Sequence, residues 1–400
     1  MKKGWEYKEL GELCHKINGL WKGKKEPFVK VGVIRNANFT KAFTLDFSNV
    51  EYLDVEEKQY ASRKLQLGDL IVEKSGGSEK QPVGRAVLFQ EKEGEYSFSN
   101  FTSVLRVKDN HEITPEFLYK YILHVYLRGD TRKMQKATTG IHNIEFDKYL
   151  AINIPIPPLS EQKEIVEYLD SSFAKIDKLK ENAAKNLEEA KALFQSALKD
   201  ALEPKEGWEE KTLKEVANYR RGSFPQPYGN SEWYDGEDSM PFVQVAELQE
   251  DSFALIMPTK KRISKLAQPL SVFVPEGIVL VSLQGSIGKV GITQNNCYVD
   301  RTVAIFQSYK LPVDSHFFAY QLKERFAIER LKARGTTIKT ITKEEFANFT
   351  IMLPSLSEQQ SIVSHLDSLN EKVNTLQQNY SRICDECDAL KQAILRQVFE

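Results

Sequence analysis

The stretch "PPLSEQKEIVEYLD" at residues 157–170 returns as "PSLSEQQSIVSHLD" at residues 354–367, 197 positions later. Each copy has a proline, then Leu-Ser-Glu-Gln, then apolar residues at intervals of three and four. Those intervals are typical of an amphipathic helix, and a proline prevents a helix from extending backward, so each copy predicts a helix start. We expect Ser160 and Ser357 to be the N-cap residues, with Gln360 completing a capping box in the second copy.

A heptad pattern continues from each helix start, which predicts two helices of about 40 residues, or ~60 Å each. The expected seam of the first helix consists of Ile165, Leu169, Ile176, Leu179, Ala183, Ala190, Leu193, Ala197 and Ala201. Ser172 and Asn186 interrupt this seam as polar exceptions. The expected seam of the second helix consists of Ile362, Leu366, Leu369, Val373, Leu376, Tyr380, Ile383, Cys387, Leu390 and Ile394.

The similarity between the two halves extends upstream of these helices. "WEYKELGELC" from Trp5 matches "WEEKTLKEVA" from Trp208, and "FSNFTSVLRV" at 98–107 matches "YVDRTVAIFQ" at 298–307 with a spacing of 200. Short apolar runs such as "DLIVE" and "GIVLVS", separated by Gly, Pro and polar turns, predict strands. A helix follows in each half, capped by Thr114 or Asp314. One ancestral unit therefore occurs twice.

These patterns predict an α+β protein with pseudo-two-fold symmetry. The predicted segments are a β-rich globular domain at 1–157, a long helix at 158–203, a second β-rich domain at 204–354 and a second long helix at 355–400. The end of the first helix and the start of the second adjoin the same domain. The two seams can therefore meet only as an antiparallel coiled coil, which would separate the two domains as a spacer.

Composition indicates a globular protein, because 41% of the 400 residues are hydrophobic and 28% are charged. The formal net charge of −1 excludes a nucleic-acid binder that is basic all over, but not one with local basic faces. The start "MKKGWEYKEL" has no apolar run behind it, and no segment reaches the roughly 18 apolar residues of a membrane span. The four cysteines give no disulfide framework. We expect a soluble, cytoplasmic protein without membrane contact.

The doubled Pro-x-Leu-Ser-Glu-Gln stretch, the two β-rich domains, the paired heptad helices and the two tryptophan-containing starts resemble the specificity (S) subunits of type I restriction–modification systems. The resemblance covers essentially the whole chain. It implies that each β-rich domain is a target recognition domain for one half of an asymmetric, bipartite sequence in double-stranded DNA. It also implies that the helices act as a ruler between the half-sites.

The same resemblance implies partners. DNA methyltransferase (M) subunits, in two copies, would dock on the helices, and restriction (R) subunits would join through them. Methylation and cleavage would belong to these partners, together with S-adenosylmethionine, ATP and Mg. For this chain the resemblance implies a non-catalytic role without a cofactor or metal of its own.

The residues themselves give no catalytic signature. The Asn/Asp-Pro-Pro-aromatic tetrapeptide of a methyltransferase does not occur in the sequence. "GSIGKVG" at 285–291 lacks the spacing of a phosphate loop and is interpreted as a turn between strands. "CDEC" at 384–387 lacks a second cysteine pair for zinc. It is interpreted as one core and one flanking cysteine, with a metal or redox role as the alternative.

Candidate DNA contacts lie in polar loops with basic residues, because Lys and Arg bind phosphates and polar side chains reach base edges. In the first domain they are Lys74, Ser75, Lys80, Arg85, Arg132, Lys136, Thr138, Thr139 and His142. In the second domain they are Arg220, Arg221, Gln284, Ser286, Lys289, Arg334, Thr336, Thr337 and Lys339. Any of these could instead be a solvated loop residue. For Tyr228 and Trp233, packing in the core or a loop is favoured over stacking on DNA.

Two other functions stay open at this point. One is a duplicated coiled-coil scaffold without DNA specificity, and the other is an enzyme whose active site the motifs do not reveal. Sequence-dependent DNA binding together with a methyltransferase distinguishes the specificity subunit from the scaffold. The lack of a catalytic constellation in the sequence argues against the enzyme.

Overall fold

The computed structural model of the chain describes residues 4–20, 23, 25–79, 81–138, 141–332 and 343–400, with the backbone alone at 137–138, 330–332 and 343. The chain folds into two compact units, Met1–Ala184 with Tyr380–Glu400, and Lys185–Asn379. Each unit combines one β-rich domain with part of each long helix. Within the described residues, no helix has both the length and the apolar character that crossing a membrane requires.

The first unit contains a central sheet, a second sheet, a small sheet and a strand pair. Its strands are β1 (Glu6–Glu9), β2 (Cys14–Asn18), β3 (Phe28–Ile34), β4 (Glu51–Glu56), β5 (Leu70–Glu73), β6 (Ser75–Gly77), β7 (Ala86–Leu88), β8 (Tyr96–Phe98), β9 (Thr102–Val107), β10 (Gln135–Thr138), β11 (Ile141–Ile144) and β12 (Asn153–Ile156). Its helices are α1 (Leu10–Leu13), α2 (Glu57–Ala61), α3 (Pro115–Leu127), α4 (Phe146–Leu150) and the first part of α5 (Leu159–Leu202). The strand orders are β2-β9-β5-β7, β4-β3-β8, β10-β11-β6 and β1-β12, respectively.

The central sheet of the first unit is covered on its two faces. Leu70 and Val72 share a core with Phe117 of α3, whereas Ile71 between them shares the core of the second sheet with Phe98. Because successive side chains of a strand point to opposite faces, a strand covered on both sides needs an uninterrupted apolar run such as "DLIVE". The predicted cap of α3 is confirmed, since the Thr114 side chain accepts a hydrogen bond from the backbone N–H of Phe117 at 3.3 Å.

The second unit repeats this plan. Its strands are β13 (Glu209–Thr212), β14 (Ala217–Arg221), β15 (Met240–Val243), β16 (Lys261–Ile263), β17 (Val272–Val274), β18 (Val279–Ser282), β19 (Val290–Ile292), β20 (Cys297–Val299), β21 (Val303–Tyr309) and β22 (Thr350–Leu353). Its helices are α6 (Leu213–Val216), α7 (Ser315–Lys332), α8 (Lys343–Ala347), the last part of α5 and the first part of α9 (Leu356–Phe399). The central sheet has the order β14-β21-β18-β19, the second sheet β16-β15-β20-β17 and the strand pair β13-β22.

The structure shifts one part of the internal alignment by one residue. Leu105 and Phe306 lie in the cores that contain α3 and α7, and Val104 and Ile305 lie in the cores of the second sheets. The equivalent residues of β9 and β21 are therefore 201 positions apart, and the sequence-based spacing of 200 is wrong here. Sequence identity aligns Thr102 with Thr302. The correct register is instead the one that places equivalent side chains on the same face of the sheet.

Within each unit the two long helices run antiparallel, as predicted. In the first unit Lys180 contacts Asp388 and Asp177 contacts Lys391, each at an N–O distance of 2.5 Å. In the second unit Phe194 lines a cavity with Val373, and Ala201, two turns further along α5, lines one with Ile362 at the start of α9. In both units, residue numbers therefore rise along one helix as they fall along the other.

The observed seam of α5 differs from the expected one at Leu179 and Leu193. The buried apolar side chains of this helix are Leu169, Ile176, Leu187, Phe194, Leu198 and Leu202. Leu179 and Leu193, expected in the seam, are 57% and 71% exposed, so their assignment is wrong. The stripe through Leu187 and Phe194 lies one residue later than the expected stripe through Asn186 and Leu193. Ser172 and Asn186, the polar residues in the expected seam, already indicated that the seam follows a different stripe of the helix.

The seam of α9 differs from the expected one at two equivalent positions. Ile362, Leu366 and Cys387 are buried as expected. Leu376 and Leu390 are 40% and 48% exposed, so these two assignments are wrong. They lie 197 positions after Leu179 and Leu193, so the four exposed leucines occupy equivalent places in the two copies of the helix.

The long helices begin two residues earlier than the predicted caps require. The backbone N–H of Gln162 donates to the carbonyl of Pro158 at 3.0 Å, and that of Gln359 donates to the carbonyl of Ser355 at 2.9 Å. Ser160 and Ser357 therefore lie inside the first turn, and their assignment as N-caps is wrong. A proline carbonyl can accept the first helical hydrogen bond, because proline lacks only the N–H group.

The glutamate of each repeated stretch binds a tryptophan from the start of the same unit. Trp5 donates its indole N–H to Glu161 at 3.2 Å, and Trp208 donates to Glu358 at 3.1 Å. This contact attaches the helix start to the strand pair that the tryptophan precedes. It explains why the tryptophan-containing starts and the Leu-Ser-Glu-Gln stretches occur together in both halves.

The glutamine of each repeated stretch attaches the helix to the preceding helix. The buried side chain of Gln162 accepts a hydrogen bond from the N–H of Thr114, the cap of α3, and donates to the carbonyls of Glu112 and Pro157, each at 2.9 Å. Gln359 makes the same set of contacts with Asp314, Pro312 and Pro354 at 2.9, 3.3 and 3.0 Å. The repeated stretch is therefore a joint between the domain and the long helix.

Candidate nucleic-acid interface

The small sheet of the first unit brings two separate stretches of predicted DNA contacts together. Lys74 and Ser75 stand at the end of β5 and the start of β6, whereas Lys136 and His142 lie on β10 and β11. β11 pairs with both β6 and β10, so that Asn143 lies opposite Ser75 on one side and Lys136 on the other. The fold therefore places these four predicted residues on neighbouring strands.

The stretch "SGGSEKQPVGRA" at 75–86 begins with β6, and its described residues lead back to β7. Arg132 donates to the carbonyl of Glu79 at 2.7 Å, and the hydroxyl of Tyr126 donates to the carbonyl of Pro82 at 3.1 Å. These contacts hold this stretch beside the residues that follow α3. Lys80, also a predicted contact, lies outside the described residues.

Lys136 and His142 differ in how accessible they are. The Lys136 side chain is 72% exposed, with its ammonium group 3.4 Å from Glu145. A hydrogen bond from Lys148, with a smaller contribution from Lys136, lowers the pKa of Glu145. His142 is half-buried, and its Nδ1 atom has no hydrogen-bond partner among the described residues. Thr139 and the side chain of Thr138 lie outside the described part of the chain.

Arg85 is placed differently from the other predicted contacts. It is buried, lies 3.3 Å from the carboxylate of buried Glu73, and stacks 5.1 Å from the ring centroid of Phe39. Burial raises the pKa of Glu73, and Arg85 opposes that rise. Arg85 therefore packs inside the unit, unlike the exposed predicted contacts such as Lys136.

The predicted contacts Gln284, Ser286 and Lys289 lie in the turn between β18 and β19. The hydroxyl of Ser282 donates to the carbonyl of Ser286 at 2.6 Å and accepts from the N–H of Lys289 at 2.9 Å. At Gly288 φ is +82°, and a Cβ atom there would lie 2.6 Å from the Phe326 ring. The interpretation of "GSIGKVG" as a turn between strands is confirmed.

Arg221 ends β14 at the same end of the central sheet. It lies opposite Ala304 on β21, which in turn lies opposite Val281 just before the β18–β19 turn. Arg220 precedes it on β14 and is exposed. Arg334, Thr336, Thr337 and Lys339 lie outside the described residues.

Sequence reasoning missed one tight turn in each unit, which directly precedes β9 or β21 at the end of the central sheet where the predicted contacts lie. The two turns, here called the edge turns, are Ser99–Thr102 and Asp300–Val303. The N–H of Thr102 donates to the carbonyl of Ser99 at 3.0 Å, and that of Val303 donates to Asp300 at 3.1 Å. Phe101, in the first edge turn, is 52% exposed, and Arg301 in the second is also exposed. The sequence signal available for the first edge turn was Phe101, an aromatic residue that stands between Asn100 and Thr102, just outside the apolar run of β9.

Tyr228 and Trp233 pack in the second unit, as favoured from the sequence. Tyr228 stacks on Phe224 with ring centroids 4.9 Å apart and donates to the buried carboxylate of Asp300 at 2.7 Å. Burial raises the pKa of Tyr228, and the hydrogen bond to Asp300 adds to that rise. Trp233 packs, like Tyr228, against the hydrophobic cluster that contains Phe224.

Metal-binding groups of His, Cys, Asp and Glu do not occur among the described residues. Cys387 is buried in the seam and Cys384 is half-buried beside it, which matches the interpretation of "CDEC" as a core and a flanking cysteine. Burial raises the pKa of the Cys14 and Cys297 thiols to about 12. These two thiols belong to the packed cores of the first and second units.

Comparison with known proteins adds a family to this geometry. The model of the type I restriction modification DNA specificity domain matches residues 2–189 and again residues 205–383. The chain is 24% identical to a protein of Methanocaldococcus jannaschii named as the specificity subunit of the MjaX type I restriction enzyme, covering 92% of this chain and 87% of that protein. It is 22% identical to the StySPI specificity subunit of Salmonella potsdam, covering 99% and 89% of the two chains.

A similar fold is found among solved structures. A chain of a type I R-M system, solved in work on its complex assembly and conformational transition, matches with a TM-score of 0.76 and 22% identity over 100% of this chain and 98% of that chain. The protein described here therefore belongs to the type I restriction modification DNA specificity family. It is a specificity subunit with two such domains, and a duplicated scaffold without DNA specificity is set aside.

Proposed function

We propose that this chain recognises an asymmetric, two-part sequence in double-stranded DNA, with one unit for each half-site. The observation that supports this best is that the two units have equivalent central sheets but carry different residues at the ends of those sheets. The two central sheets share their strand order, but their same ends present Lys74 and Phe101 in one unit and Gln284 and Arg301 in the other. Similar frames with unlike contact residues suit two unlike half-sites on one duplex.

In this proposal α5 and α9 set the distance between the half-sites. Each helix has 44 residues and contributes to both compact units. A helix of that length extends over ~66 Å. The Trp–Glu and Gln contacts at each helix start attach it to its domain, so a change of helix length would be passed to the domain.

The proposed partners are two methyltransferase subunits, with restriction subunits joining through them. The four exposed leucines support two docking surfaces on the helices. Leu179 and Leu390 flank the Lys180–Asp388 and Asp177–Lys391 contacts in the first unit, and Leu193 and Leu376 are their counterparts in the second. Their recurrence at equivalent positions in the two copies of the helix would offer two similar surfaces to two methyltransferase subunits.

The chemistry of the complex would lie in those partners. S-adenosylmethionine is proposed to bind the methyltransferase subunits, and ATP and Mg the restriction subunits. The chain described here would contribute DNA recognition and assembly. This division fits a protein of the specificity-subunit family.

Co-purification of the chain with a type I methyltransferase subunit of the same source organism, followed by mass measurement, tests the assembly. We expect a complex with two methyltransferase copies. The double substitution Leu179→Glu with Leu390→Glu should remove one copy, and Leu193→Glu with Leu376→Glu should remove the other. Lys163→Glu, at an exposed position of the same helix, is the matched control. A chain that binds no methyltransferase at any concentration would contradict the proposal.

A further inference from the structure

We propose that the edge turns, Ser99–Thr102 and Asp300–Val303, are specificity-determining elements that contact bases through Phe101 and Arg301; this rests on the proposed function. Neither residue was among the sequence-predicted contacts. Each lies at the end of a central sheet where the predicted contacts of its unit also gather. The two turns occupy the same place in the repeated fold, but they offer an aromatic ring in one half and a guanidinium in the other.

The first edge turn is held rigidly while its side chain stays exposed. The carbonyl of Phe101 accepts the N–H groups of Lys74 and Ser75 at 2.9 and 3.1 Å, so the turn is bonded directly to the predicted DNA-contact strand. The hydroxyl of buried Thr102 donates to the carbonyl of Ser99 at 2.8 Å. A Cβ atom on Gly19 would lie 1.8 Å from that same carbonyl oxygen, so only glycine allows this approach of the two backbones.

The second edge turn is held in the same way. The carbonyl of Thr302 accepts the N–H of Leu283, at the start of the β18–β19 turn, at 2.9 Å. A Cβ atom on Gly222 would lie 2.1 Å from the carbonyl oxygen of Val299. Asp300 is only 2% exposed, and its carboxylate accepts the N–H of Thr302 at 3.2 Å.

The Arg301 side chain is oriented from one side by an aromatic ring. Its guanidinium carbon lies 5.1 Å from the ring centroid of Tyr228, and the Tyr228 hydroxyl is fixed by Asp300. A guanidinium that stacks on a ring keeps its N–H edge available for hydrogen bonds. A base-reading side chain on a rigid turn also loses little conformational freedom when it binds.

The chemistry of the two side chains assigns different base preferences. An arginine edge matches the two acceptors that guanine presents in the major groove, which is the commonest specific contact of this kind. A phenylalanine makes apolar contact with the methyl group of thymine. We therefore assign Arg301 to a guanine in the half-site of the second unit and Phe101 to a thymine in the half-site of the first.

Selection of bound duplexes from a randomised pool, using the full chain co-purified with its methyltransferase, tests the assignment. Arg301→Ala should lower the preference for guanine at one position of one half-site by about 5- to 150-fold. Phe101→Ala should lower the preference for thymine at one position of the other half-site by about fivefold or more. Each variant should leave the opposite half-site unchanged.

Two exposed positions at the opposite end of the same sheets are matched controls. Leu67, before β5, is 57% exposed, and Lys310, after β21, is also exposed. Leu67→Ala and Lys310→Ala should keep the wild-type selected sequence. If wild-type protein selects a two-part sequence and Phe101→Ala and Arg301→Ala select the same one, the edge-turn assignment is wrong and the proposed function stands. If wild-type protein selects no sequence, the proposed function itself is wrong.

Discussion

At the scale of single residues, the most informative side chains are those that join distant parts of one unit. Local signals predicted the caps at Thr114 and Asp314, because a cap and the backbone N–H that donates to it lie within one turn of chain. The roles of Glu161 and Gln162 could not be predicted in this way. Apart from Pro157, their partners lie roughly 50 residues or more upstream, as with Trp5, and only the folded backbone brings them together.

Replacing the joint glutamine should destabilise the first unit. Gln162→Ala removes the partner of three backbone groups, and each buried group left unsatisfied costs about 1–3 kcal/mol. We expect a loss of about 2–4 kcal/mol in the free energy of unfolding, measured by urea denaturation. Lys163→Ala, an exposed neighbour, should change this free energy by less than about 0.5 kcal/mol. Equal effects of the two substitutions would show that the joint contributes nothing.

Arg85→Ala should produce a loss of stability that depends on pH. The substitution leaves buried Glu73 without its ion-pair partner, which costs about 3–5 kcal/mol when the carboxylate is charged. Burial already raises the pKa of Glu73, and removal of Arg85 raises it further. A carboxyl group whose folded-state pKa is raised destabilises the fold fully above that pKa, and the destabilisation declines as the pH falls below it and is lost below the unfolded-state pKa.

The free energy of unfolding of the Arg85→Ala variant should therefore differ more from wild type at pH 8 than at pH 5. Adding Glu73→Gln removes the titrating group, so the double variant should show a deficit that is nearly constant between these two pH values. A single-variant deficit of the same size at both pH values would contradict this account of Arg85.

At the scale of elements, the sequence predicted the strands and helices well but only part of the helix seam. Strands such as β5 are recognisable because a sheet covered on two faces requires continuous apolar residues. The seam of α5 is harder to predict, because a heptad seam alternates steps of three and four residues. If the order of the two steps is exchanged, the resulting stripe still contains many apolar residues. The small alanines fit either order, so only packing against α9 selects Leu187 and Phe194 over Asn186 and Leu193.

Two leucines on α5 distinguish the observed seam from the expected one. Leu198 is fully buried in the core of the second unit, whereas Leu193 is 71% exposed. Leu198→Ala should reduce the free energy of unfolding by about 2–5 kcal/mol, because it removes buried methyl groups and leaves a cavity. Leu193→Ala should change it by less than about 0.5 kcal/mol. Chemical denaturation measures both, and a larger loss for Leu193→Ala would restore the seam expected from the sequence.

At the scale of the whole molecule, the internal repeat made the architecture predictable from the sequence, whereas the edge turns were not. Duplication appears as matching letters along the chain, and chain connectivity then requires antiparallel helices. The edge turns depend on strand register, and matching letters misplace that register by one residue at Thr102. Matching letters therefore could not show that Phe101 and Arg301 lie in equivalent turns.

The proposed ruler predicts that longer helices move the half-sites apart. Seven residues inserted after Ala184 and seven after Asn379, where each helix passes from one unit to the other, preserve the heptad order. They add ~10 Å of helix, close to three base pairs at ~3.4 Å each. Selected DNA should therefore carry the same half-sites with a spacer about three base pairs longer. Lys163→Ala, at an exposed position of α5, should keep the wild-type spacer when nothing is inserted, and altered half-sites at an unchanged spacing would contradict the ruler.

The central claim is that this chain alone determines which two-part DNA sequence its complex modifies. Mapping the methylated bases across the source genome, with and without the gene for this chain, tests that claim most directly. We predict that a set of methylated bases lies within one recurring sequence of two unlike blocks at a fixed separation, and that this set disappears when the gene is removed. The account would be contradicted if every methylated site stayed methylated after removal of the gene. It would also be contradicted if the methylated bases shared no two-part sequence.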